Sequence, residues 1–158
     1  MRVAPIALLV ALLGILALAG CAADDEAPDT DAADSDAADG EQVVMLRTET
    51  CDCCTAHAEH LEEEGFAVDH EIVDDPNVAA GVPDGLGSCH VTVVDDYAVV
   101  GHVPADVIDE LRAAAPDVDG VSLPGMPSGS PGMPGEQTEP WEVIAFSDGQ
   151  PASVFATR

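Results

Sequence analysis

The stretch TETCDCCTAHAEH (Thr48–His60) packs Cys51, Cys53 and Cys54 into four consecutive positions, with His57 and His60 close behind. Such thiols serve three chemistries. A Cys-x-x-Cys pair, here Cys51 and Cys54, runs thiol–disulfide exchange; a set of thiolates holds a soft metal ion; a disulfide braces a fold. The thiolate both attacks disulfides and binds metal, and a helix N-terminus favours it through backbone N–H groups and the helix dipole. Acidity therefore does not separate the two roles, but the count of thiols does. A redox pair needs two, and a third inside the same motif invites mispairing. A soft metal site uses all the sulfur it can reach.

Other residues extend the donor set. Cys89-His90 supplies a fourth sulfur and an imidazole, although neighbours on a regular strand face opposite ways; the glycines of GLGSCH (Gly85–His90) allow an irregular start that lets both reach one ion. His102 lies at a strand end beside a helix start. His57 follows Cys54 by three positions and Cys53 by four, so it shares their helix face, although a helix histidine is more often exposed, and His60 follows it. His70 falls in a strand and receives no role. Met126 and Met133, in PGMPSGSPGM (Pro124–Met133), either cover a thiolate site with thioethers or anchor a structureless loop. Cu(I) prefers thiolate and thioether ligands, and zinc accepts three Cys and one His. The residues thus favour metal binding, with redox exchange and a structural disulfide as the other readings.

The flanking pattern supplies the elements that position these groups. Gln42–Glu49 reads as a strand and Cys51–Glu64 as a helix stopped by Gly65, with Cys51 as the cap. Phe66–Asp75 reads as a second strand, and Pro76–Gly87 as a short helix or loop. Cys89–Val94 and Tyr97–Val103 flank Asp95-Asp96 as a hairpin. Pro104 suits the first position of a helix whose apolar face is Val107, Ile108, Leu111 and Ala115. A Pro/Gly/Met loop follows, then a hairpin over Trp141–Ala156 turned at Asp148-Gly149. The order strand, helix, strand, short helix, strand, strand, helix resembles the thioredoxin-like α/β fold. There the cysteine motif caps the first helix, and the loop entering the third strand packs against it with a cis proline, for which Pro83 is the nearest candidate.

The ends and composition bound the context. Residues 1–20 have the order of a secretory signal: one Arg, then an apolar run from Ile6 to Ala19 that is short for a bilayer crossing. Leu18–Cys21 (LAGC) resembles a lipobox, which implies cleavage before Cys21 and lipid on that cysteine. Residues 21–42 form an acidic spacer without a core-forming residue, and residues 43–158 suffice for one small domain. The chain has 31 acidic residues against 4 basic ones and no Lys. That balance argues against nucleic acid as a partner and suits a surface solvated in high salt. Outside the cytoplasm, the four cysteines other than Cys21 oxidise unless a metal or redox partner holds them.

TCDCC, VP (Val82-Pro83), SCH, GHVPAD and PGMPSGSPGM occur in this order, and together they resemble the CopG-like family of extracytoplasmic metal-binding proteins, long filed as a domain of unknown function. The resemblance spans about Val43 to Phe155. It implies a role in copper handling and makes Cys51, Cys53, Cys54, Cys89, His90, His102, Met126 and Met133 the signature positions. The chain departs from the family pattern at Asp52 for Gly, His57 for an aromatic residue, Val91 for Thr and Asp96 for Gly, so a carboxylate and an imidazole stand next to the cluster. The expectation is a lipid-anchored protein that binds copper, as Cu(I), through Cys51, Cys54 and Cys89. Cys53, His90 and a Met are further candidates, and His102 orients a ligand or donates itself. Zinc is the other ion the set admits. The expected role is sequestration, delivery or resistance, with a copper-transfer protein as partner. A membrane-tethered thiol–disulfide oxidoreductase using Cys51 and Cys54 is the alternative.

Overall fold

The computed structural model describes residues 40–158; the signal segment, Cys21 and nearly all of the acidic spacer lie outside the described residues. Seven strands form one sheet: β1 (Glu41–Arg47), β2 (Phe66–Ile72), β3 (His90–Val94), β4 (Tyr97–Val100), β5 (Gly120–Ser122), β6 (Glu142–Ser147) and β7 (Gln150–Thr157). Three helices intervene: α1 (Asp52–Glu63), α2 (Pro76–Ala79) and α3 (Ala105–Ala114). The strand order is β2-β1-β3-β4-β5-β6-β7. The pairs β1–β2 and β4–β5 are parallel, and every other neighbouring pair is antiparallel.

The helices follow from spacing. In α1 the buried residues Cys54, His57, Ala58 and Leu61 recur at helical intervals, and Gly65, at φ +98°, carries the chain out of the helix. In α3 the buried set is Ala105, Val107, Ile108 and Leu111, with Pro104 just before the first turn. Both helices cover one face of the sheet, where they meet Val43, Met45, Val94, Val99, Val121 and Val143. On the opposite face Val91, Val100 and Phe146 pack against Leu86 of the segment leading into β3. Alternation along β4 sends Val99 to the first core and Val100 to the second.

Several expectations change at the level of the elements. The first strand begins at Glu41, two residues before the expected domain boundary, and Glu41 pairs with Arg112 of α3. β4 stops at Val100, so Gly101 and His102 form a bend and are not strand residues. A short strand, β5, pairs with β4 where the sequence shows only a connection. The hairpin over β6 and β7 turns at Asp148 (φ +53°) and Gly149 (φ +69°), the two positive angles of a type I′ turn. No cis peptide bond occurs among the described residues, so Pro83 does not play the part considered for it. None of the described helices is long and apolar enough to cross a membrane.

The pairing pattern places the candidate residues together. β4 runs parallel to β1, and β3 runs opposite to both. The C-terminal ends of β1 and β4 and the start of β3 therefore lie at one end of the sheet. Cys51, Cys89 and His102 follow or precede those strand ends by a few residues. The loop after β5 leaves from the same end.

Candidate metal centre

Cys51 caps α1 in an extended conformation (φ −148°, ψ 91°), so Cys53 and Cys54 enter the first turn. Cys51 and Cys54 form a disulfide, whereas Cys53 and Cys89 carry free thiols. Cys54 is fully buried and Cys53 is half-buried. The Cys53 sulfur sits 3.6 Å from that of Cys51 and 3.4 Å from that of Cys89. All four sulfurs lie within 4.8 Å of one another.

The segment before β3 fixes Cys89. The Asn77 side chain donates to the Ser88 carbonyl at 2.8 Å and accepts from its N–H at 3.0 Å, a two-point clamp on the backbone. Cys89 precedes the first residue of β3, so strict alternation has not yet begun. Its sulfur lies 3.3 Å from Nδ1 of its neighbour His90. Gly101, at φ +75°, then turns the chain after β4; a Cβ there would meet Ser88 Oγ at 2.6 Å and the Leu123 carbonyl at 2.9 Å. That close passage brings His102 Nε2 to 3.4 Å from the Cys89 sulfur.

Hydrogen bonds to carbonyls assign the ring protons. A carbonyl only accepts, so His102 Nδ1–H donates to Pro131 O at 2.8 Å, leaving the Nε2 lone pair on the side of Cys89. His57 Nε2–H donates to Val103 O at 3.0 Å, so its Nδ1 accepts from His90 Nε2–H at 2.8 Å. The remaining His90 lone pair, on Nδ1, also faces the Cys89 sulfur. This assignment needs neutral rings, and burial supplies that condition. His57, His90 and His102 are all fully buried. Burial lowers the pKa of His57 to about 3 and that of His90 to about 2, and repulsion from the charge that neighbouring imidazoles would carry acts in the same sense. His102 is also held below the ordinary value, chiefly by burial. Burial and the Cys53 thiol push Cys89 up to about 11.

Cys89 therefore sits where two donor groups overlap: the four sulfurs on one side, and Cys89, His90 and His102 on the other. A tetrahedral ion with bonds of about 2.3 Å to sulfur and about 2.0 Å to nitrogen spaces sulfur from nitrogen by about 3.5 Å and sulfur from sulfur by about 3.8 Å. The observed separations of 3.3–3.6 Å fall short of that by a few tenths of an ångström. The donor set fits a metal ion.

Six of the eight signature positions are gathered here: Cys51, Cys53, Cys54, Cys89, His90 and His102. Met126 is exposed and Met133 half-buried on the loop; neither packs in the cluster with Cys51, Cys53 and Cys89. The loop still matters. Its Pro131 carbonyl holds His102, and a Cβ at Gly132 would lie 2.6 Å from the His57 backbone nitrogen, so this segment closes tightly over α1. His57, expected on the exposed side of the commoner case, is inside the cluster. His60 stacks on it at 6.1 Å, and its buried Nε2 has no partner among the described residues. His70 is exposed on β2.

Two solved structures described as copper resistance protein copG, forms 1 and 2, are each 38% identical to this chain. Each comparison covers 75% of this chain and 98% of the solved one, with TM-scores of 0.67 and 0.68. The chain belongs to the CopG family. A family model described as a protein of unknown function, DUF411, matches residues 86–133, which hold Cys89, His90, His102, Met126 and Met133 of this CopG-family chain but not its Cys51–Cys54 motif. A search of curated proteins gives no match.

Proposed function

We propose that this protein binds copper as Cu(I) for sequestration, delivery or resistance outside the cytoplasm. The observation that carries this reading is the convergence on Cys89. Its single S–H proton faces two imidazole lone pairs and a second thiol, so one proton cannot satisfy the donors around it. A soft cation in place of that proton bonds to Cys89 together with the imidazoles on one side or the thiols on the other, and thiolate with imidazole is a donor set suited to Cu(I). The likeness to proteins described as copper resistance protein copG supports copper as the ion, ahead of zinc.

In the state described, Cys53, Cys89, His90 and His102 are the available donors. Reduction of the Cys51–Cys54 disulfide, with two electrons and two protons from an external dithiol that becomes a disulfide, adds two more sulfurs. Met126 and Met133 serve from the covering loop. The order β2-β1-β3-β4, with the cysteine motif capping the first helix, supports a thioredoxin-like frame. The signal segment and Cys21 support a lipid-anchored protein that meets a copper-transfer partner in the extracytoplasmic space.

The test is an anaerobic titration of the reduced protein with Cu(I) against a chromogenic chelator, followed by alkylation of free thiols. Tight uptake with Cys53 and Cys89 protected, lost in Cys89→Ser, is expected. Uptake unchanged from wild type in both Cys89→Ser and Cys51→Ser would sink the ligand assignment. The Cys51–Cys54 disulfide at the start of α1 favours a second reading, a thiol–disulfide oxidoreductase. Turnover of a disulfide substrate by metal-free protein, with no competitive uptake of Cu(I), would make that reading the better one.

A further inference from the structure

We propose that His57 is a positioning residue: it holds the proton of His90 on Nε2 and so keeps His90 Nδ1 bare toward Cys89. This rests on the copper reading for its consequence, but the hold itself belongs to the metal-free protein.

The geometry forms a relay of fixed direction. Val103 O lies two residues before α3 and can only accept. It takes the Nε2–H of His57 at 3.0 Å, which leaves His57 Nδ1 as an acceptor. That atom is 2.8 Å from His90 Nε2, so His90 carries its proton there. Its other nitrogen then presents a lone pair 3.3 Å from the Cys89 sulfur. Reversing any one bond would set two protons, or two lone pairs, against each other in a fully buried space.

His57 itself has little freedom to turn. It is inside α1 on the face covered by the core, and its backbone lies against Gly132 of the loop. Its ring sits 4.8 Å from that of His90 and 5.3 Å from that of His102. The role is therefore distinct from that of His102, whose tautomer is set by the Pro131 carbonyl and needs no other imidazole. The two histidines facing Cys89 are oriented by different means: one by a loop carbonyl, the other by a side chain that can be replaced. Outer hydrogen bonds of this kind fix which nitrogen of an imidazole is free to bind a metal and tune its basicity.

The experiment compares wild type, His57→Phe and His57→Gln. Phe fills similar space without an acceptor, whereas Gln keeps one acceptor and one donor. Ring nitrogen shifts of 15N-histidine in the metal-free protein report each tautomer, and Cu(I) competition against a chromogenic chelator reports affinity. In wild type His90 is expected as the Nε2–H form. In His57→Phe it is expected to populate both tautomers while His102 keeps its own, which shows that the fold is intact. Cu(I) affinity is expected to fall by about 10- to 100-fold in that variant, with much of it recovered in His57→Gln. The inference is overturned if wild-type His90 carries its proton on Nδ1, or if His57→Phe leaves the His90 tautomer unchanged. It is equally overturned if the tautomer is released and affinity stays as it was. Wild type that shows the expected tautomers but takes up no Cu(I) would remove the copper reading and leave the hold of His57 on His90 supported.

Discussion

Acid should destabilise this protein well before its carboxylates titrate. The cause is the buried imidazole cluster. His57 and His90 are held near 3 and 2 in the folded chain, against 6.5 when unfolded. A depressed folded value means that the unfolded state takes up protons that the folded state refuses. The stability contribution is therefore complete above about pH 6.5 and is lost as pH falls toward 3. Each group contributes a slope of about 1.4 kcal/mol per pH unit, so the pair gives about 2.7. Between pH 7 and pH 5 the loss comes to about 4 kcal/mol, a large share of the 5–15 kcal/mol typical of a domain. Urea unfolding of the metal-free protein, followed by Trp141 fluorescence and far-ultraviolet circular dichroism at fixed ionic strength, measures it. His57→Phe should roughly halve the slope. An unfolding free energy that stays level from pH 7 to pH 5 would refute the placement of two neutral imidazoles in the interior.

Cu(I) uptake should strengthen with pH. The Cys89 thiol is pushed up to about 11, so it is protonated at neutral pH and the metal must displace that proton. Apparent affinity should rise about tenfold per pH unit for each proton released, and a chelator competition independent of pH between 6 and 8 would contradict this. Gly132→Ala should lower stability by more than about 1 kcal/mol, because the residue sits at φ +78° and its new Cβ would press on His57 N. Thermal melting checks that, and a parallel loss of Cu(I) affinity should accompany displacement of Pro131 from His102. Finally, 31 acidic residues against 4 basic ones make self-repulsion a standing cost. Raising NaCl from 0.1 to 1 M shortens the screening length from about 10 to about 3 Å, so the melting temperature should rise; a fall would count against the salt-adapted surface.

Residue patterns alone carry much of this architecture and stop at identifiable places. Alternating Val and Met residues mark β1, and Asp148-Gly149 marks the last hairpin. The capping of α1 by Cys51 follows from a helix that begins at Asp52 and ends before Gly65. β5 was not legible because Gly120–Ser122 has three residues and no alternation; it is a strand only because β4 lies beside it. The burial of His57 was half legible. Helical spacing puts it on the face of Cys53 and Cys54, but whether that face is covered depends on where the loop around Gly132 comes to rest. The partner of His102 leaves no trace in residue type, since Pro131 acts through its backbone carbonyl. The Cys51–Cys54 pairing was one of several that the count allowed, and only the distances among four sulfurs select it.

The direction of β1 carries a consequence for presentation. Glu41 begins this strand at the end of the sheet away from the cysteines, and Arg47 ends it four residues before Cys51. Seven extended residues span about 23 Å. Whatever is joined to residue 40 thus attaches at the pole opposite the sulfurs.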